Sequence, residues 1–214
     1  MWRLTHLKKV WLYTQTAPHS SKKMADGLFQ TGDTDRALEL VEGLIENDPT
    51  NAQYRLVIGT QIYQRVMTLS DSVSANSDMI YEIRDEDEAR VNELNAINDK
   101  LREQIDMLTA RAEEALIAAA DIEPENPMIF NTLGVVYQNK AAALFDLRNA
   151  TLDNDEAMRL DELAKAEATL AMENYERAAE LDPENTNYWE SLFRIYTSLG
   201  MLEEAEAAME KAGM

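Results

Sequence analysis

The sequence predicts an all-α protein: a solenoid of about four helical hairpins, the second and third with elongated, coiled-coil-like helices. Three observations lead there. One phrase recurs, as DPTNAQYRLVIG at 48–59, EPENPMIFNTLGVVY at 123–137 and DPENTNYWESLFRIY at 182–196. Each copy follows an alanine-rich amphipathic stretch, RALELVEGLIEN, RAEEALIAAADI or AMENYERAAEL. A unit that cannot bury its apolar face alone is being reused, which is the signature of a stacked repeat. Finally, only five prolines and seven glycines interrupt a chain rich in Ala, Leu, Glu and Met, all strong helix formers.

Residues 1–25 carry Arg3, Lys8, Lys9, Lys22 and Lys23 and no acid. Residues 1–19 are read as a basic N-terminal arm or a capping helix, because Leu7, Val10 and Trp11 share one helical face and a solenoid end needs covering. Pro18 through Ser21 then form the break before the next helix. The acid-poor composition also resembles that of a transit peptide, and a start-site artefact would produce the same segment. The run VWLY is too short for a secretory signal.

Residues 20–214 form the helical repeat domain, in units of about 20–51, 52–126, 127–185 and 186–214. The units punctuate themselves at Asp48-Pro49, Glu123-Pro124 and Asp182-Pro183, since the residue before proline is pushed out of the helical region. Asn51, Asn126 and Asn185 follow as N-caps, and Pro127 suits a first helical turn. Gly32 and Gly200 allow tight reversals inside the first and last units. Gly59 and Gly134 lie inside helices, where each costs about 1 kcal/mol relative to alanine. They make sense if the partner helix, with Ala112 and Ala119 or Ala171 and Ala178, comes close.

The spacing of the units is irregular. Uninterrupted repeats of this size recur about every 34 residues, whereas Pro49 to Pro124 is 75 residues and Pro124 to Pro183 is 59. The added segments read as helix. Leu94, Leu101, Leu108 and Ala115 form a near-heptad, flanked by Ile97, Ile105, Ala112 and Ala119, and they face a stripe of Ile58, Ile62, Val66, Leu69, Val73 and Ile80. Helices that end level at the base share the excess equally, which places the tips at 84–88 (RDEDE) and 153–155. A rival tip at 70–78 (SDSVSANSD) would face a very long helix with a short one. The two stripes look mutually sufficient.

Composition excludes several chemistries. There are no cysteines, hence no disulfide, thiol catalysis or thiolate metal site. No apolar run reaches the ~18–20 residues that span a bilayer. Net charge is −20; with the five basic residues of 1–25 set aside, the remaining 15 bases and 40 acids give −25. Such a body repels a phosphate backbone, which argues against nucleic acid, and favours a basic partner. Solubility or adaptation to salt would leave the same charge. The histidines, His6 and His19, both lie near the N-terminus, so the body has none for a catalytic triad or a metal site. No phosphate-binding or dinucleotide glycine loop occurs. Asp153, Asp155 and Glu156 lack the glycine and distal glutamate of a calcium loop. Asn149-Ala150-Thr151 is a bare sequon. No catalytic residue, cofactor or metal is expected. The 84–88 tip reads as a solvated turn or as a docking knob for a basic partner.

The repeat phrases resemble the tetratricopeptide repeat. The last unit supplies Trp189, Leu192, Tyr196, Gly200, Ala205 and Ala212. The third supplies Phe130, Leu133, Gly134, Tyr137, Ala171, Tyr175, Ala178 and Pro183. The second supplies Ile58, Gly59, Ile62, Ala112, Ala119 and Pro124. The first is degenerate, keeping Gly32, Ala37 and Pro49 with Met24, Ala25 and Leu28 at signature positions. The stretch from FNTLGVVYQNKAAALFD to the last unit is also similar to extended-hairpin tetratricopeptide proteins of Bacteroidota, many of them exported. The sequence as given reads as soluble and cytoplasmic, with a periplasmic or exported protein as the alternative if its N-terminus is incomplete.

The resemblance implies protein or peptide binding and core packing for Phe130, Tyr137, Trp189 and Tyr196. It also implies a concave face lined by the first helix of each pair. That lining would be Gln53, Thr60 and Gln64, then Asn131, Gln138 and Asn139, then Glu190, Arg194 and Ser198. These amides and hydroxyls suit an extended peptide, but equally an ordinary polar surface. The expected function is a non-enzymatic protein- or peptide-binding scaffold; the alternative is self-assembly through the elongated hairpins, with a homo-oligomer not favoured.

Overall fold

The computed structural model describes residues 18–214. Eight helices and no strand occur among them: α1 (Pro18–Thr31), α2 (Thr34–Asn47), α3 (Ala52–Ile83), α4 (Glu88–Ile122), α5 (Pro127–Ala150), α6 (Asn154–Leu181), α7 (Thr186–Leu199) and α8 (Leu202–Ala212). The chain divides into two compact units, one ending at Ile122 and one running from Glu123 to Met214. Each unit holds two hairpins: α1–α2 and α3–α4 in the first, α5–α6 and α7–α8 in the second. The all-α, hairpin-built class is thus the one the sequence predicts. The expected arm or capping helix at 1–19 falls almost wholly outside the described residues. Positions 18–21 were expected as a break, yet they lie inside α1; proline is tolerated in a first helical turn.

The punctuation follows local chemistry. Asp48 and Asp182, each before a proline, stand at φ −137° and −142° and end their helices. Asn126 and Asn185 cap by accepting from the amides of Met128 and Asn187. Asn51 occupies the same position without a cap bond, and its amide nitrogen donates to Asp48 at 3.4 Å. Gly32 and Gly200 take φ of +82° and +76° at the two short reversals, a region that other residues enter at a cost.

The elongated hairpins have near-equal limbs. α3 and α4 contain 32 and 35 residues and reverse at 84–87, so the polar run 70–78 lies within α3. α5 and α6 contain 24 and 28 residues and reverse at 151–153, slightly ahead of the expected tip. Asp153 caps α6 by accepting from the amides of Asp155 and Glu156.

The glycines admit side chains rather than alanines alone. A Cβ on Gly134 would sit 2.5 Å from the Tyr175 ring, and one on Gly59 would sit 2.5 Å from Leu116 Cγ and 3.1 Å from the Ala112 carbonyl. The near-heptad of α4 also needs correction. Its buried positions are Leu94, Asn98, Thr109, Ala112, Leu116 and Ala119, while Leu101, Ile105, Leu108 and Ala115 are half-buried and Ile97 is exposed. A straight helix advances 3.6 residues per turn, so a strict seven-residue stripe drifts off the contact by ~20° per heptad. Nor do the two stripes suffice for each other. On α3 burial stops at Val66, with Leu69, Val73 and Ile80 half-buried. Far from the base each limb has one helical neighbour, and a helix packed on one side keeps the flanks of its stripe wet.

Candidate functional site

The two units present separate polar faces. In the first, α3 carries Gln53 and Gln64, both exposed, and Thr60, half-buried. Gln64 alone of these joins a cleft. The α1–α2 reversal meets α3 partway along its length, and a cleft of ≈ 460 Å³ opens there, lined by Gly32, Asp33, Thr34, Asp35, Gln61, Gln64, Arg65 and Thr68. Arg65 Nη1 donates to Asp35 Oδ1 across it at 2.5 Å. Arg36 holds Asp33 at 3.1 Å. Thr68 Oγ1 donates to the Gln64 carbonyl oxygen, 3.2 Å away.

Sequence reasoning reached Gln64 but missed its neighbour Arg65 and, about one turn to either side, Gln61 and Thr68. Their helical spacing of three, four and seven residues was visible. What was not visible was the level at which the short first hairpin stops against the long α3. Beyond the Arg65–Asp35 pair, α3 runs 18 more residues (83 − 65), about 27 Å at 1.5 Å per residue.

In the second unit, Asn131, Gln138 and Asn139 of α5 are half-buried. Gln138 Oε1 accepts from the Tyr175 hydroxyl at 2.6 Å, so its oxygen is tied to the core of the α5–α6 hairpin. On α7, Glu190 and Arg194 pair with each other at 3.5 Å, and Ser198 Oγ donates to the Ile195 carbonyl. Tyr196 OH donates to Glu176 of α6; burial first and that carboxylate second push the phenol well above its usual range, so it stays protonated. Trp189 donates to the Pro183 carbonyl and lies 3.9 Å under the Lys211 ammonium. Of the four aromatics expected in the core, Tyr137 and Tyr196 are buried, whereas Phe130 and Trp189 are only half-buried.

The electrostatics of both units are one-sided. Ten of the described arginines pair with carboxylates of the same chain, among them Arg111 with Glu42 and Arg148 with Asp161. Much of the acidic surplus is left facing solvent. No group of three or more acids and histidines among the described residues could hold a metal ion. None of the described helices is long and apolar enough to cross a membrane.

Residues 189–212, within the last hairpin, match the family model described as the tetratricopeptide repeat. No curated protein matches the chain. Similar solved structures include the MamA protein (18% identity, TM-score 0.39, covering 90% of this chain and 87% of that one). Another is a monomeric mutant of IFIT1 with Gppp-AAAA (17% identity, TM-score 0.43), where 98% of this chain corresponds to 55% of that one. Likenesses this loose do not speak to what the present chain binds.

Proposed function

We propose that this chain is a non-enzymatic scaffold that binds a basic protein or peptide, using the polar faces of α3, α5 and α7, the elongated hairpins, or both. The observation that carries the reading is the charge balance. Ten of the described arginines are bound to acids of their own chain, so the outward surplus is carboxylate. Carboxylates attract cationic partners and slow the approach of phosphate backbones. The neutral side chains Gln53, Thr60, Gln64, Asn131 and Asn139 supply donors and acceptors that an extended backbone can use.

Self-assembly through the elongated α3–α4 hairpin is a second reading, favoured by its half-buried stripe and by Met79 and Met107, which are 43% and 64% exposed. The deciding experiment is a nuclease-treated pull-down at low and high salt. Intact protein is compared with a version in which residues 66–108 are replaced by a short turn. A basic protein held by the intact chain at low salt and released at high salt supports the scaffold; its loss with the shortened hairpin makes that hairpin the recognition element. Recovery of only the chain's own copies supports self-assembly. RNA recovered in place of protein when nuclease is omitted overturns both.

A further inference from the structure

We propose that one side of the outer α3–α4 hairpin binds a second copy of this chain, laid end for end. The inference rests on the self-assembly reading and gives it a face and a symmetry; the scaffold reading does not depend on it.

Register defines the face. The Asn76 amide donates to Asn98 at 2.8 Å and Asn98 donates to Ser77 at 3.4 Å, so 76–77 stand opposite 98. Counted from there, Arg65 is level with Arg111, Ser72 with Gln104, and Met79 with Ile97. Within each helix these residues are seven apart, or about two turns, and form one row. Both rows lie on the side of α2, because Arg65 bonds Asp35 and Arg111 bonds Glu42, two residues of α2. The first hairpin thus covers this side at the base. Above the arginines it is open: Ser72, Gln104, Met79 and Ile97 are all exposed, the last two at 43% and 38%.

Charge selects the occupant. Residues 68–79 and 97–107 hold five acids, Asp71, Asp78, Asp99, Glu103 and Asp106. Each is one or two positions from a row residue, so it points about 100° or 200° away round its helix. Thr68, Ala75 and Met107 fill the turns between the row residues, and Lys100 supplies a single charge. A basic partner finds no carboxylate here. Another uncharged face does fit, and on so acidic a chain the same side of a second copy is such a face.

Shape selects the orientation. α1 and α2 have 14 residues each and α3 has 32. Beyond the Arg65–Asp35 pair α3 continues for about 27 Å. Two copies with their tips together would collide at their first hairpins, which stand proud of this side. Turned end for end, each tip comes down to the other's α1–α2 reversal and the open lengths overlap. The two-fold axis then crosses near residue 74, midway between 65 and 83, with α3 on α3 and α4 on α4. Ile97 meets Met107 of the second copy, itself 64% exposed, and Met107 meets Ile97, as an isologous contact requires. Met79 meets Thr68 and Lys100 meets Gln104. Ser72 and Ala75 meet beside the axis, where their small side chains let the helices close. A face about 20 Å by 27 Å gives roughly 500 Å² per copy, near the lower limit for a specific contact, so the dimer forms only in concentrated solution.

The test combines sedimentation with cross-linking of the full chain, which has no cysteine of its own. Sedimentation should pass from monomer to dimer as concentration rises. Added salt should tighten the dimer by screening the acidic bodies, the reverse of its effect on a basic partner. Ile97→Lys should weaken the dimer by about tenfold or more, because it buries an unpaired charge. Tyr81→Lys, two positions from Met79 and on the far side of α3, should leave it unchanged; both sites are exposed, and unchanged helical circular dichroism confirms folding. On oxidation, a mixture of Ile97→Cys and Met107→Cys chains should cross-link and neither alone should, since each cysteine stands about 15 Å from its own copy, beyond disulfide reach. A monomer at every concentration, cross-linking of either variant alone, or a dimer indifferent to Ile97→Lys would each overturn the proposal. In the last case the chain still self-assembles, by another face. If the chain stays monomeric while the pull-down retains a basic protein, the scaffold reading stands and only this contact is wrong.

Discussion

The two elongated hairpins are built by opposite means. Along α5–α6, α6 presents Ala164, Ala168, Ala171 and Ala178, all fully buried, with Tyr175 between them seated on Gly134. Burial continues to Leu160, six residues into α6. Ion pairs cross between the limbs: Lys140 to Glu167 at 2.9 Å, and Arg148 to Asp161 at 2.5 Å, with Lys165 on the other Asp161 oxygen at 2.6 Å. Along α3–α4 the base is similar, with Leu116 over Gly59, but the outer part is half-buried apolar stripe with polar residues at its centre. Asn98, 1% exposed, accepts from the Asn76 amide at 2.8 Å and donates to Ser77 Oγ at 3.4 Å. Charged pairs along that outer part, such as Arg90–Glu93 and Arg102–Asp99, lie within α4 rather than between limbs. Small residues let two helices close tightly and cross-link their flanks; a polar centre holds a looser pair in one register.

The comparison can be broken most severely at Tyr175. Truncation to alanine should cost about 3–5 kcal/mol, as for other buried aromatics, read as a lower urea midpoint. Gly134→Ala attacks the same contact from the other limb. Alanine's helix preference would add about 1 kcal/mol, but a methyl driven into a buried ring costs about 1–3 kcal/mol. Net destabilisation is expected, and a gain in midpoint would show that the ring is free to move.

Asn98→Leu should act in the opposite direction. Replacing a buried polar group in a helix seam with an apolar one raises stability, by about 1 kcal/mol or more, and relaxes register and oligomer state. Light scattering should then show dimers or mixed species alongside a higher melting temperature. A variant that stays strictly monomeric would deny Asn98 any role in specificity. In hydrogen exchange, amides of 67–83 and 88–108 should exchange faster than those of 141–150 and 156–170, because fewer buried contacts must break to expose them. Equal protection would mean that the half-buried stripe packs as firmly as the alanine seam.

The smallest expected effect is at Asp161. Hydrogen bonds from Lys165, first, and Arg148, second, hold its carboxyl below the usual range. A carboxyl depressed on folding adds stability that is complete above its unfolded pKa and is lost as pH falls through the lower folded value. The Asp161 side-chain carbon signal should therefore titrate below that of an unpaired aspartate, and the cross-link near the α5–α6 tip should persist until then. A midpoint at the ordinary value would show that the pairs are absent in solution.

Much of this was legible in the residues. Proline after an acid stops a helix whatever surrounds it, so Asp48 and Asp182 are readable one at a time. A repeated phrase exposes the unit, and equal sharing of the excess between limbs led to the reversal at 84–87. Asn51 was less legible, because nothing in its sequence distinguishes it from the capping asparagines Asn126 and Asn185, yet its side chain accepts no bond from the amides of its helix.

Residue order alone carried the all-α class, the helix stops before proline, the near-equal limbs of the hairpins and the acidic surplus, since propensity, turn chemistry and charge count act locally or add up along the chain. Only the tertiary structure decided that Asn98 rather than Ile97 is buried, that Gly134 receives Tyr175, and that Gln64 shares a cleft with Asp35 and Arg65. Each of these depends on the rotation and level of one helix against another. Burial of the whole seam sets those quantities, and no single segment encodes them.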